Sequence, residues 1–236
     1  MTFTQQYRTI RLHARRAVAP LRITPTFVIL GTMRGGTTSL YKYLSDHPQI
    51  LPAFTKEVHY FTNHYDQSWD WYLAHFPVRP PLGLRREHVI TGEGSPYYVC
   101  HPDAARRVRR HLPDARLLLL LRHPVDRAYS HYRLQRQRGR EDRSFEEALE
   151  LEEERLSGLT ERLLADERYV SADHRNFSYK GRSRYAEQLE RWFEQFPREQ
   201  FLIRSSEEFY ARPAAVMAEV CEFIGVRPWQ VPEYKQ

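Results

Sequence analysis

The segment Phe27-Val28-Ile29-Leu30-Gly31-Thr32-Met33-Arg34-Gly35-Gly36-Thr37-Thr38-Ser39-Leu40 leaves few folds open to this chain. A β-branched and aromatic run feeds a glycine turn, and Leu40-Tyr41-Lys42-Tyr43-Leu44 then reads as helix. A strand, a glycine turn and a helix start gather free backbone N–H groups and the positive end of a helix dipole at one point, which suits a phosphate. The letters nearly spell GxxxxGK[ST], with Thr37 where the lysine would stand. That substitution argues against ordinary ATP or GTP chemistry and for a different phosphate-bearing donor. A glycine turn alone would be an ordinary βα connection. Arg34 and the Thr37-Thr38-Ser39 hydroxyls tip the balance toward anion binding.

The remaining pattern alternates strands and helices. Ala115 to Leu121 is a short apolar run of the kind buried on both faces of a parallel sheet. Val89 to Glu93 and Phe201 to Arg204 read as further strands, and Lys56 to Phe61 as a strand or strand edge from its alternation. Helices are expected over 65–76, over 102–111 with arginines toward the end, from His123 to about Arg138, over 185–196 and over 214–224. Ser144 with Glu147 spells a capping box. Glu150, Glu152, Glu153 and Glu154 read as a solvated helix face. The fold class is therefore α/β, a P-loop-like three-layer arrangement with a central parallel sheet flanked by helices. Ligands of such sheets bind beyond the carboxyl ends of the strands, which places Arg34, Glu93 and Arg122 along one rim. Arg122 ends the apolar strand and Ser130 lies two helical turns further on, so the pair can hold a second phosphate.

At 236 residues the chain fits one such domain, read as a basic N-terminal arm over 1–24 and a single domain over 25–236. The arm reads as a solvated, partly helical tail. The net charge of +6 is carried almost entirely by arginine, whose planar fork suits phosphate and sulfate. No zinc-ligand spacing, RNP motif or basic heptad array points to nucleic acid. No apolar run reaches membrane-spanning length, so stable membrane insertion is not expected. Cys100 and Cys221 form no metal or disulfide pattern, and a reducing, cytoplasmic setting is the simpler expectation.

Arg34 to Leu40, Lys56 to Phe61, Gly92 to Pro96, Leu121 to Pro124 through Ser130, and Tyr185 to Trp192 together resemble the sulfotransferases that use 3′-phosphoadenosine 5′-phosphosulfate. The resemblance lies in the branch containing the heparan sulfate sulfotransferases, with the motifs in the family's order over roughly residues 25–227. It implies that Gly35, Gly36, Thr37, Thr38 and Ser39 bind the donor's 5′-phosphosulfate and that Arg34 neutralises the leaving phosphate. It further implies that Arg122 and Ser130 bind the 3′-phosphate, that Lys56 contacts the sulfonate, and that Glu57 is the base. His59 is the alternative base, since imidazole suits proton transfer near neutral pH. No metal is needed in this scheme. The implied reaction moves a sulfuryl group to a hydroxyl, or in second place an amine, of a glycan, glycolipid or small-molecule acceptor. The rival readings are a nucleotide-kinase-like phosphotransferase and a non-catalytic nucleotide-binding protein. Two departures from the family pattern stand out: Gly94 replaces a lysine, and the chain ends before a further basic donor-binding loop. Oligomeric state leaves no mark on the sequence.

Overall fold

A computed structural model describes residues 11–81 and 88–231 of the chain. Its frame is four strands, β1 (Phe27–Gly31), β2 (Gly92–Gly94), β3 (Arg116–Leu121) and β4 (Phe201–Ser205). All pair in parallel, in the order β2-β1-β3-β4. Around them stand α1 (Thr37–Ser45), α2 (Ala104–His111), α3 (Pro124–Gln137), α4 (Tyr185–Phe193) and α5 (Pro213–Phe223), with shorter helical turns between.

The two-residue period of a strand sorts the core into two layers. Phe27, Ile29, Leu118 and Leu120 face α1 and α5 through Leu40, Leu44, Val216 and Val220. Val28, Leu30, Leu117 and Leu119 face the other way, against Tyr72, Phe76, Val108 and Trp192. Strand β3 is leucine at every central position because β1 and β4 flank it and helices cover both its faces. The expected three-layer α/β architecture is thus the observed one. Local signals also hold: α2 closes on Arg109, Arg110 and His111, α3 opens with Pro124, and Ser144 and Glu147 cap each other reciprocally.

Four local expectations are corrected. Lys56 to Phe61 is not a strand: it is an irregular segment leading into a helical turn at Tyr60–Asn63. The backbone at Glu57 and His59 is left-handed, at φ 61° and 54°, which no extended ladder accommodates. Its alternation arose because Val58, Tyr60 and Phe61 all bury in the aromatic core. The helix expected over 65–76 is only Trp69–Leu73, started by Ser68, whose side chain accepts from the Trp71 N–H. Glu152 is buried, and its carboxylate accepts from the Lys180 and Gly181 N–H groups at 2.6 and 2.7 Å. Finally, the described part of the N-terminal arm is docked. Arg15 donates to the carbonyls of Ala74 and Phe76, each at 2.7 Å, and buried Arg22 donates to Phe76 as well. Those carbonyls end a helical segment and need donors, which the arm supplies. Residues 1–10 of the arm and 232–236 of the expected domain lie outside the described residues.

Candidate active site

The chain passes from β1 to β2 on one side and then from β2 to β3 on the other side of β1, so a crevice opens where the strand order reverses. Into it runs the turn after β1. Gly36 adopts φ 92° and begins α1 with no side chain capping the helix, a conformation glycine takes without strain. The first-turn amides of Thr37, Thr38 and Ser39 therefore have no acceptor within the helix. The turn is pinned from below: the Thr32 N–H and hydroxyl both donate to Leu120 O at 2.9 Å. The Ser206 hydroxyl donates to Gly35 O at 2.8 Å. A Cβ on Gly35 would stand 2.5 Å from Leu120 O, so only glycine lets the turn lie this close to β3.

Arg34, Arg122 and Ser130 meet on the rim above this turn. Arg34 Nε donates to Ser130 Oγ at 2.8 Å, and Arg122 Nη1 donates to Arg34 O at 3.3 Å. The Tyr185 hydroxyl donates to Arg122 O at 2.8 Å, fixing the end of β3. The two anion stations read from the sequence thus form one continuous edge.

Lys56 joins that edge to the second motif segment. Its Nζ donates to Thr38 Oγ1 at 2.7 Å and to Glu57 Oε1 at 2.9 Å. On the other carboxylate oxygen, Glu57 Oε2 lies 3.4 Å from His59 Nε2. The bond from His59, seconded by Lys56, pushes the Glu57 carboxyl down to about 2 against the opposing effect of its burial. Arg34, Glu57 and His59 are the only described non-glycine residues with positive φ, at 70°, 61° and 54°. Such conformations cost about 1–3 kcal/mol each and persist only where surrounding contacts enforce them.

One enforcing contact is visible. The His59 N–H donates to Ser95 Oγ at 3.1 Å, and that hydroxyl donates to Glu93 Oε2 at 2.8 Å. The other oxygen of Glu93 accepts from Tyr72 at 2.8 Å and Tyr98 at 3.0 Å. Glu93 therefore does not stand on the rim, as the strand-end reading had it. It is fully buried beneath the site, and burial pushes its carboxyl upward while the three hydroxyls pull the other way. Position 94 also points inward: a Cβ there would stand 3.3 Å from Ile29 Cβ, in the layer shared with α1.

Between the turn and the Glu57–His59 segment lies a cavity of about 240 Å³. Its far wall carries Arg138, Arg175 and Arg182, with Tyr97 beside them. Arg182 belongs to the Lys180-Gly181-Arg182 segment, which enters a one-turn helix at Gly181–Ser183 and is clasped by Glu152. Arg182 is 4% exposed, and its guanidinium donates to Arg175 O at 2.6 Å and sits over the Tyr97 ring at 4.8 Å. Sequence reasoning missed Arg138 and Arg175 as site residues. In a chain this rich in arginine, no local signal separates an unpaired guanidinium from a paired one.

A crevice at a strand-order reversal, an uncapped helix start and a rim of arginines beside a carboxylate–imidazole pair define an α/β domain whose site suits an anion. Comparison with known proteins makes the class specific: the sulfotransferase domain family matches residues 24–233, and the chain belongs to that family. Among curated proteins it is 34% identical to the human bifunctional heparan sulfate N-deacetylase/N-sulfotransferase 3, over 86% of this chain and 22% of that protein. It is 27% identical to the membrane-associated sulfotransferase kil1 of Dictyostelium discoideum, over 89% of this chain and 58% of that protein. The chain therefore spans between about a fifth and three fifths of these relatives' lengths. Among solved structures, a sulfotransferase from Alicyclobacillus acidocaldarius superposes with a TM-score of 0.71 at 32% identity, over 90% of this chain and 85% of that one. No helix among the described residues is long and apolar enough to cross a membrane.

Proposed function

We propose that the chain transfers a sulfuryl group from 3′-phosphoadenosine 5′-phosphosulfate to a hydroxyl of a glycan, glycolipid or small-molecule acceptor, with an amine as the second choice. The observation that carries this reading is Lys56, one cation bonded both to Thr38 of the phosphate turn and to Glu57. A bound donor would bring a sulfonate on a phosphate leaving group. The first-turn amides and the Thr37, Thr38 and Ser39 hydroxyls surround the 5′ end, and Arg34 offsets charge on the phosphate oxygen as its bond to sulfur breaks. Arg122 and Ser130 hold the 3′-phosphate, which requires Ser130 to share or release Arg34.

The acceptor must lose a proton as its oxygen bonds to sulfur, and Glu57 and His59 are the groups placed to take it. While Lys56 and His59 both hold Glu57, its carboxylate is a weak proton acceptor. Lys56 turning to the sulfonate removes one of those holds, so Glu57 gains basicity as the transferring group arrives. His59 then carries the proton or keeps Glu57 oriented to do so. Gly31 and Thr32 of the turn and the Ser95–Glu93 anchor contribute position, not chemistry.

The test is calorimetric titration, under EDTA, with 3′-phosphoadenosine 5′-phosphate and separately with ATP. Micromolar binding of the bisphosphate is expected, weaker binding of ATP, and loss of about tenfold or more in Arg122→Ala, the scale of a charge-assisted phosphate contact. A chain that takes ATP with magnesium and ignores the bisphosphate is a phosphotransferase instead.

A further inference from the structure

The cavity beside Glu57 is lined by four arginines, Arg34, Arg138, Arg175 and Arg182, and by one acidic residue, Glu57. Its carboxylate is already matched by Lys56. Elsewhere in the molecule several arginines find acids: Arg106 and Arg107 pair with Asp103, Arg155 with Glu141 and Arg204 with Glu219, while buried Arg22 and Arg127 bond backbone carbonyls instead. Among the described residues, none of Arg138, Arg175 and Arg182 makes an ion pair. Asn176, the neutral polar group beside Arg175 on this wall, has its side-chain oxygen occupied by Arg140.

Arg182 is committed to structure. Its two terminal nitrogens reach Met33 Sδ and Arg175 O, and only its buried Nε lacks a partner. Arg175 is held by its backbone through that contact, leaving its planar fork in the cavity wall with Arg138 beside it. Two neighbouring groups register the resulting field. The Arg175 guanidinium is pushed down first by burial, with Arg140, Arg182 and Arg138 adding to the effect and Tyr97 opposing it. Buried His131, on α3, whose C-terminal end Arg138 caps, is pushed down by burial and then by Arg182, Arg127, Arg34 and Arg138. Arg182 is buried, Arg175 partly buried and Arg138 exposed at the mouth, and such a cluster of like charges with no counter-ion is unfavourable until an anion enters it.

We infer that Arg138 and Arg175 form an acid-recognition subsite, and that the acceptor carries a carboxylate, sulfate or phosphate on the unit that presents its nucleophile. The inference rests on the sulfuryl-transfer reading for the fate of that nucleophile, and on the guanidinium wall for the acid. Arg138 and Arg175 fork the acidic group, Arg182 fixes the backbone from which Arg175 projects, and the hydroxyl falls across the cavity at Glu57 and His59. At about 240 Å³ the cavity is smaller than sites for drug-sized ligands, so it takes one ring-sized acidic unit with any remainder outside. Planar two-pronged recognition also explains arginine rather than lysine at these positions.

Matched pairs differing in one acidic group test this without knowledge of the natural acceptor. The probes are 4-nitrophenyl β-D-glucuronide against 4-nitrophenyl β-D-glucoside, and glucose 6-phosphate against glucose. Each is titrated into protein saturated with 3′-phosphoadenosine 5′-phosphate, so that the donor site cannot capture the acid. The acidic member of at least one pair is expected to bind about tenfold or more tightly than its neutral counterpart, a preference that shrinks with added salt. Arg175→Ala and Arg138→Ala each reduce the ratio, and the double variant brings it to about one, while bisphosphate affinity changes by less than about twofold. Arg175→Gln serves if truncation impairs folding, with the thermal melt as control. The inference is overturned if no acid outbinds its neutral partner, including the case where nothing binds, or if the preference survives the double variant. Failure of the bisphosphate to bind, with the acid preference intact on the same protein, would instead sink the donor reading and leave this subsite standing.

Discussion

Glu57 and Glu93 serve the same short stretch of backbone, one from above and one from below, and their surroundings could hardly differ more. Glu57 is half-exposed, set between Lys56 and His59, and held down to about 2. Glu93 is sealed from solvent, meets only the hydroxyls of Tyr72, Ser95 and Tyr98, and is pushed upward. Cations beside a carboxylate stabilise its charge and keep it available to a ligand. Hydroxyls around a buried one satisfy its lone pairs and make it an anchor. Identical side chains thus become a charged group open to the cavity and a buried foundation according to their partners.

The sharpest way to break this contrast is to remove each carboxylate in turn. Glu57→Gln is expected to slow release of 3′-phosphoadenosine 5′-phosphate from the donor by about 10²–10⁴-fold, the range for loss of a general base. Its melting temperature should stay close to the parent's. A rate within threefold of the parent would pass the proton to His59 alone. Glu93→Leu does the converse, leaving three buried hydroxyls without their acceptor. It should cost about 2–4 kcal/mol of stability, read from the denaturant midpoint. An unchanged midpoint would mean that Glu93 is no anchor.

A finer cut concerns Lys56, which helps depress Glu57. Lys56→Met should raise the Glu57 carboxyl by about one pH unit, followed by carbon-13 resonance of the side-chain carboxyl. No movement would leave His59 as the whole cause. The smallest effect is one of sign. Glu57, with its folded value below the unfolded one, stabilises the fold above about pH 4.5 and loses that contribution as pH falls toward 2. Glu93, with its folded value raised, contributes fully below the unfolded value and loses the contribution as pH rises through the folded one. The stability gap between parent and Glu57→Gln should therefore narrow on acidification, and that for Glu93→Gln should narrow on moving to neutral pH. With 40% of its side chain exposed, Glu57 shows the weaker dependence because solvent screens its partners. Gaps that move in the same direction would erase the distinction.

The turn after β1 and the Arg122–Ser130 edge were readable because their cues are local. A strand, two glycines, three hydroxyls and a helix follow one another, and Arg122 ends β3 just before the helix that carries Ser130. The leucine run of β3 announced a central strand for the same reason. Glu93 was misread because the strand-end rule places a residue on a rim without saying which way it points. The tyrosines that claim it come from other segments. Lys56 to Phe61 was misread because alternation records burial, and an irregular segment can bury alternate side chains as a strand does. Arg138 and Arg175 of the arginine wall escaped: whether a guanidinium is paired depends on which carboxylates the fold brings near, as with Arg155 and Glu141, and no spacing along the chain reports that.

The left-handed backbone at Arg34, Glu57 and His59 also sets how this protein would respond to selection for heat resistance. Glycine at any of the three would relax the main chain while discarding the side chain that gives the position its purpose. A library screened only for survival on heating would thus be drawn toward these positions and return sturdier proteins that no longer turn over. Thermostabilisation should hold these three positions fixed and take its gains from the helical shell.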